Sequence, residues 1–152
     1  IRTRKSTMGG VVQFGAATIK SWSRGQAVIA LSSGEAEYYG IVKGCSQGLG
    51  IKSMLEELNV CWGLRVNTDA SAAVGIAKRR GLGKVRHIEV HQLWLQDRVG
   101  RGDLRIEKVK GERNPADSLT KHVEREKLDF HRNWVSLKVL AGRHGLMPVI
   151  DG

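Results

Sequence analysis

The stretch A-L-S-S-G-E-A-E-Y, residues 30 to 38, decides how the middle of this chain folds. Ser32 stands three residues before Glu35, which is the spacing of a capping box at the start of a helix. We predict a helix from Ser33 to Leu58, in which Glu35 bonds back to the cap and Glu37 is free to point elsewhere. Apolar residues recur there at three- and four-residue intervals and mark one buried face: Tyr38, Ile41, Val42, Cys45, Leu49, Leu55 and Leu58.

A stripe of glycines lies beside this apolar face, at Gly40, Gly44 and Gly48. Each glycine costs about 1 kcal/mol relative to alanine inside a helix. Close packing of the helix against a sheet or a neighbouring helix would account for three of them.

The rest of the chain alternates between strand and helix signals. Residues Thr7 to Phe14 and Ala17 to Ser23 predict a β-hairpin that turns at Gly15 and Ala16. The elements predicted after the long helix are a strand (Leu64 to Thr68), a helix (Ser71 to Lys78), a basic loop (Arg79 to Lys84), a helix (His87 to Val99), a strand (Leu104 to Val109), a turn (Lys110 to Arg113) and a helical region from Pro115 onward. The order ββαβααβα predicts an α/β fold, a mixed sheet flanked by helices with parallel pairing across each crossover.

Composition limits the class of protein and its partners. The 152 residues fit one domain, and the formal net charge of +10 favours nucleic acid as a partner, although a solvated basic surface would give the same charge.

Cys45 and Cys61 lie outside any C-x-x-C spacing, so we expect reduced thiols in an intracellular protein, in the cytoplasm or the nucleus. No apolar run is long enough to span a membrane, and we expect a soluble protein. The chain begins at Ile1, and we expect that an upstream segment has been removed.

Three acidic residues are placed where a sheet presents groups to a crevice: Glu37, Asp69 and Asp117. Hard cations such as magnesium take oxygen ligands, and two of them can clamp the attacking and leaving oxygens of a phosphodiester. Each acid taken singly is more often a solvated or capping residue. The metal-site prediction therefore depends on the set and its context.

Several motifs, taken in order, carry a resemblance to a known family. They are Lys5-Ser6-Thr7, Ser21-Trp22-Ser23, the A-L-S-S-G-E-A-E-Y run, Thr68-Asp69, His87-Ile88-Glu89 and the N-P-A-D-S-L-T-K run from Asn114 to Lys121. In this order they resemble the ribonuclease H region at the C-terminal end of copia-type retrotransposon polyproteins. The two long runs are the most specific, and the resemblance spans roughly Arg4 to Leu140.

The resemblance implies a ribonuclease H-like domain over residues 1–140, followed by a C-terminal tail over 141–152. It implies cleavage of the RNA strand of RNA–DNA hybrids by two Mg²⁺ or Mn²⁺ ions held by four carboxylates, next to an upstream reverse transcriptase segment. Glu37, Asp69 and Asp117 match three of those positions. The fourth is an aspartate on a first strand, which this chain begins too late to include. We therefore expect unpaired edges on the hairpin and on the Leu64 to Thr68 strand, reduced stability and impaired cleavage.

Other residues have two possible interpretations. A basic cluster in and around the glycine-containing loop would suit phosphate contacts or simply be solvated: Lys78, Arg79, Arg80, Lys84 and Arg86. His87 and His91 stand four apart, yet their H-I-E-V-H spacing differs from the H-E-x-x-H of metalloproteases, so we expect a structural or nucleic-acid-facing role. The four tryptophans are scattered and favour core or edge positions.

Three functions remain open at this point. The first is a hybrid-specific, metal-dependent endonuclease that needs its missing strand. The second is a binding module that keeps a basic surface for nucleic acid without catalysis. The third is an inert relic of a mobile element, which an incomplete sheet would leave poorly folded.

Overall fold

The N-terminal hairpin forms as predicted in the computed structural model, which describes residues 5–81, 88 and 93–138. Strands β1 (Thr7–Phe14) and β2 (Ala17–Gly25) pair antiparallel, and β2 runs two residues further than the sequence indicated. Gly15 takes a φ of 59° in the turn, a conformation that glycine adopts without strain. Gly10 faces Trp22 across the ladder, and a Cβ at Gly10 would lie 2.2 Å from the Trp22 ring.

The long helix α1 (Ser33–Glu57) starts at the predicted cap, because the Ser32 side chain accepts a hydrogen bond from the Glu35 amide at 3.1 Å. The prediction that Glu35 bonds back to the Ser32 amide is wrong. The Glu35 carboxylate instead accepts from the Leu31 amide at 2.9 Å and from the Tyr39 hydroxyl at 2.8 Å. Glu35 is buried, so it satisfies both carboxylate oxygens with the donors nearest to it.

The glycine stripe of α1 packs closely at one position and faces open space at another. A Cβ at Gly48 would lie 2.8 Å from Leu64, so the predicted close approach is confirmed there. Gly40 has an ordinary contact with Met8 at 4.0 Å, and Gly44 has nothing within 4 Å. All three glycines line one cavity, which lies between the strands.

A parallel strand pair forms the second sheet. Strand β3 (Leu64–Thr68) is followed by helices α2 (Ser71–Lys78) and α3 (Trp94–Arg101), and the chain returns in strand β4 (Leu104–Lys108). Leu64 pairs with Leu104 and Thr68 with Lys108, which confirms parallel pairing across this crossover. Gly102 ends α3 with a φ of 80°, the left-handed conformation common after a helix.

The third helix differs from its predicted range of His87 to Val99. It begins at Trp94 and ends at Arg101, and Ile88 lies in a bend, buried in the core. Ile88 is β-branched and a weak helix former, which is a local signal against a helix start at His87. His87 and His91, with Lys84 and Arg86, lie outside the described residues.

The predicted helical region after Pro115 is two helices, α4 (Asp117–Thr120) and α5 (Arg125–Trp134), preceded by a 3-10 turn at Gly111–Arg113. The chain leaves the helical conformation at Lys121, which has a φ of −146° and ψ of 160°. The Thr120 hydroxyl bonds the Asp117 carbonyl at 3.2 Å, a side-chain bond of the kind that competes with helix continuation.

The core lies between α1, α2, α3 and the β3–β4 pair. Its largest fully buried side chains are Tyr38, Leu95, Leu104 and Cys45. Within the described part of the chain, no helix has the length and apolar character that crossing a bilayer requires.

The α/β class is confirmed, but the described strands form two separate two-stranded sheets, β1–β2 and β3–β4. Each of β1 and β3 pairs on one side, and both strands line a cavity of about 1230 Å³ that also touches the α1 glycines. The unpaired edges predicted for these strands therefore face one shared space.

Candidate functional site

The three predicted carboxylates come from three different elements and line the same cavity. Glu37 lies in the second turn of α1, Asp69 follows the last residue of β3, and Asp117 begins α4. One acid lies at a strand end and two lie near helix starts, which are the kinds of position that the sequence predicted. Tertiary structure thus brings together acids that are far apart in the sequence.

Asp69 is fixed by the turn that precedes α4. The Asn114 amide donates a hydrogen bond to Asp69 Oδ1 at 3.0 Å, while the Asn114 carbonyl oxygen Oδ1 accepts from the Ala116 amide at 3.2 Å. A Cβ at Gly111 would lie 3.2 Å from Asp69 Oδ2, so glycine permits this close approach. Asn114 therefore couples the second carboxylate to the segment that carries the third.

Asp117 is 8% exposed and forms ion pairs with two lysines. Lys121 Nζ lies 2.8 Å from Asp117 Oδ2, and Lys127 Nζ lies 3.6 Å from the same oxygen. The hydrogen bond with Asp117 is the main cause that raises the pKa of Lys121, with further contributions from the negative charges of Asp69 and Glu37. This end of the cavity therefore contains both positive and negative side chains.

The raised pKa of Glu37 reflects partial burial and the proximity of the other two acids. Partial burial raises the pKa of its carboxyl, and the negative charges of Asp69 and Asp117 raise it further, while Lys121 lowers it. A cation placed among the three carboxylates would relieve this repulsion. The three acids therefore form a region of negative charge that Lys121 partly compensates.

A buried histidine holds the segments around Asp117 in place. His131 Nε2 donates to the Glu112 carbonyl at 3.1 Å, and because a carbonyl can only accept, His131 Nδ1 accepts from the Ser118 hydroxyl at 2.5 Å. His131 is 2% exposed. It joins α5 to α4 and to the 3-10 turn, which together carry Asn114 and Asp117.

The predicted basic cluster is partly described. Lys78, Arg79 and Arg80 lie at the end of α2 and do not line the cavity, while Lys84 and Arg86 are outside the described residues. Gln96 anchors the start of this loop, accepting from the Gly81 amide at 2.8 Å and donating to the Ile76 carbonyl at 2.8 Å.

Sequence reasoning missed the basic residues that do line the cavity: Arg65, Arg105, Arg113 and Lys121. Lys121 was part of the quoted N-P-A-D-S-L-T-K run but was given no role. The i, i+4 spacing of Asp117 and Lys121 was a usable signal, since such pairs face each other on a helix.

The donor types fit hard divalent cations, but the described arrangement is not assembled to hold one. Carboxylate oxygens are the ligands that Mg²⁺ and Mn²⁺ prefer. Yet no group of three His, Cys, Asp or Glu side chains among the described residues is close enough to bind one ion. Asn114 and Lys121 instead engage Asp69 and Asp117. A metal would require these contacts to rearrange.

Two further polar groups at the cavity lack partners. Trp22 Nε1 and Gln26 Oε1 are buried, and neither has a hydrogen-bond partner among the described residues. Trp22 and Gln26 both line the cavity. Buried polar atoms are normally bonded, so these two are available to a segment that would fill the space.

The described elements form an α/β domain of helices and two small sheets, which is consistent with the ribonuclease H-like class. The chain is similar to the retrovirus-related Pol polyprotein from transposon TNT 1-94 of Nicotiana tabacum, with 31% identity over 143 residues. This similarity identifies the chain as a domain derived from a copia-type retrotransposon Pol polyprotein. It covers 90% of the chain, which spans 10% of the polyprotein's length. No protein-family model matches the chain, and no solved structure matches it.

Proposed function

We propose that this domain is a ribonuclease H that hydrolyses the RNA strand of RNA–DNA hybrids and that is impaired in the chain as given. The observation that carries the proposal is the position of Glu37, Asp69 and Asp117 at one cavity, close enough for Asp69 and Asp117 to raise the pKa of Glu37. The polyprotein relative supports a retroelement context.

Glu37, Asp69 and Asp117 would hold two Mg²⁺ or Mn²⁺ ions, which supply an activated water and stabilise the developing charge of a phosphodiester displacement. Asn114 keeps Asp69 oriented, and His131 keeps the Asp117 segment in place. The basic residues at the cavity would attract the phosphate backbone. The hybrid would be recognised by its shape and its 2′-hydroxyls more than by its sequence.

The impairment follows from the cavity between the two sheets. A strand there would pair with the free edges of β1 and β3, and it would bring main-chain donors and acceptors to Trp22 and Gln26. We propose that a strand upstream in the polyprotein fills this space and adds the fourth carboxylate. Without it, three carboxylates remain and Asp69 and Asp117 are engaged by Asn114 and Lys121.

The test is Mg²⁺-dependent cleavage of a labelled RNA–DNA hybrid by a chain extended at its N-terminus with an aspartate-bearing strand. We expect cleavage by the extended form and, because each carboxylate is a ligand, a loss of at least about 100-fold in Asp69→Asn. Glu57→Gln is the control, since Glu57 is exposed at the end of α1. An extended, folded form that does not cleave would refute the proposal.

A nucleic-acid-binding module without catalysis is the second candidate, and the net charge of +10 favours it. It predicts binding of the hybrid that weakens steeply with salt, with no cleavage by the extended form. An inert relic predicts neither binding nor cleavage. The same hybrid, used at two salt concentrations, separates these outcomes.

A further inference from the structure

Three glycines of α1 face the two sheets and the space between them. A Cβ at Gly48 would lie 2.8 Å from Leu64 of β3, and one at Gly40 would lie 4.0 Å from Met8 of β1. Gly44 stands midway between them and also lines the cavity, yet a Cβ there would meet no atom within 4 Å. The helix therefore crosses from one sheet to the other and is uncovered at the middle position.

The spacing along α1 leaves room for one strand between the sheets. The helical rise places Gly40 and Gly48 about 12 Å apart along the axis. One strand between β1 and β3 would set those two strands about 10 Å apart, whereas two would set them about 14 Å apart. A helix that crosses strands obliquely covers less than its own length across the sheet, so one strand fits and two do not.

The strand edges and one buried side chain offer partners to such a strand. In the part of the chain that the structure describes, β1 and β3 each pair on one side only. Gln26 is 4% exposed, lines the same cavity and donates from its side-chain amide to the Ala36 carbonyl at 2.7 Å. Its Oε1 has no partner among the described residues. A buried acceptor without a donor is costly, and the N–H and hydroxyl groups of a strand would offset that cost.

The ends of β1 and β3 fix the direction of a strand that would precede β1. Phe14 at the end of β1 contacts Trp62, two residues before β3, with ring centroids 5.1 Å apart. At the other end, a Cβ at Gly9 would lie 2.8 Å from α4, and Asn114, which precedes α4, bonds Asp69 just after β3. β1 and β3 therefore run in opposite directions along the cavity. A strand joined to the start of β1 by a tight turn would run antiparallel to β1 and parallel to β3.

We propose that the cavity binds a single extended polypeptide strand, supplied in cis or as a separate peptide, whose bulky apolar side chain packs against Gly44. This inference rests on the strand in the proposed function but not on cleavage or on a metal ion. Met8 and Leu64 contact Gly40 and Gly48 in the same way. The chain spans 10% of its polyprotein relative, so such a polyprotein contains further sequence from which a strand can come.

The period of two along a strand sets the side-chain pattern of the occupant. Apolar residues would alternate with polar ones, and the apolar set would face α1. Gly44 then has a packing role that accounts for glycine in a helix interior, where alanine would be more favourable.

The test measures binding of a fluorescent peptide to the chain as given, in EDTA, by anisotropy. The peptide is capped and alternates valine with threonine between two terminal lysines. We expect Gly44→Leu to weaken binding at least about tenfold, because the new side chain occupies the space that the peptide needs. Gly44→Ala should show the same effect to a smaller extent.

Gly50→Leu is the matched control. Gly50 lies on the same helix with open space around it and is exposed outside the cavity, so the affinity should not change. Both leucine variants should raise the unfolding midpoint of the chain alone by a few degrees, since leucine is the better helix former. A central proline in the peptide removes a ladder donor and should weaken binding at least about tenfold.

The inference is overturned if the alternating peptide does not bind wild type, if the proline peptide binds equally well, or if Gly44→Leu and Gly50→Leu have equal effects. A dimer of the chain that Gly44→Leu abolishes would assign the cavity to a second copy and overturn it too. Peptide binding without cleavage by the extended form would keep this inference and refute the ribonuclease. Cleavage by an extended form that Gly44→Leu does not impair would do the reverse.

Discussion

The two sheets of this domain are buried to very different extents. The β3–β4 pair packs against three helices, and Leu104 and Ile106 of β4 are each 2% exposed. In the β1–β2 hairpin, Gly10 is the one buried residue. The parallel pair is part of a closed core, whereas one edge of the hairpin faces the cavity.

The hairpin contacts α1 through β1 and contacts α4 through both of its strands. The Ser23 hydroxyl bonds the Leu119 carbonyl at 2.5 Å, and the Thr18 hydroxyl bonds the Val135 carbonyl at 2.6 Å. A Cβ at Gly9 would lie 2.8 Å from Thr120, so this face approaches α4 closely. Helix contacts and side-chain bonds to the segments of α4 and α5 therefore attach the hairpin to the rest of the domain.

The largest expected effect comes from core truncation on the closed side. Leu104→Ala should lower the free energy of unfolding by about 2–5 kcal/mol, because it leaves a cavity in a packed region. Val12→Ala, at a half-buried position of β1, should cost about 1 kcal/mol or less. Urea unfolding of both variants measures the contrast. Equal losses would show that the hairpin is as tightly packed as the core.

Removing the buried histidine should have the next largest effect. His131→Ala leaves the Ser118 hydroxyl and the Glu112 carbonyl without their partner and should cost about 1–3 kcal/mol. The matched control is His122→Ala, since His122 is exposed in the loop before α5. Urea unfolding again provides the measurement. A His131→Ala variant as stable as His122→Ala would rule out the proposed link between α4 and α5.

Glu37→Gln should stabilise the metal-free chain at neutral pH by well under about 1 kcal/mol, because the residue is exposed. The pKa of Glu37 is higher in the folded state than in the unfolded state, so the folded state binds the proton more tightly. The free energy of unfolding therefore falls as pH rises from the pKa of Glu37 in the unfolded state through its higher pKa in the folded state. The advantage of the variant should vanish below about pH 4, where Glu37 is protonated in both states. Thermal unfolding in EDTA at several pH values measures it, with Glu57→Gln as control.

Thiol labelling probes the closed side without a mutation. Burial raises the pKa of Cys45 to about 12, and the residue is fully buried, whereas Cys61 is exposed before β3. A thiol reagent at pH 8 should therefore label Cys61 quickly and Cys45 only after urea is added, because the thiolate is the reactive form. Rapid labelling of both thiols in the folded chain would contradict the closed core around α1.

Local signals predicted the elements better than their assembly. The capping residue Ser32 and the periodic α1 face fixed that helix to within one residue at its end, and Gly15 placed the hairpin turn. Burial of Ile88 in the core depends on tertiary contacts that no local pattern contains. The short reach of sequence propensities explains this difference.

In the candidate site, too, the positions of residues along the chain were predictable, whereas their contacts were not. The positions of Glu37, Asp69 and Asp117 relative to strands and helices could be predicted from the chain order. The contacts of Asn114 with Asp69, of Lys127 with Asp117 and of His131 with Ser118 join residues 45, 10 and 13 positions apart. Such contacts depend on how elements pack, so the sequence did not indicate them.

The central claim is that the two sheets are halves of one sheet that lacks its middle strand. Hydrogen exchange of the chain, with and without an added N-terminal strand, tests it most directly. We expect the amides of β1 and β3 that face the cavity to exchange quickly in the chain as given and to become protected together in the extended form, while β4 changes little. Protection that does not change in β1 and β3 would contradict the claim.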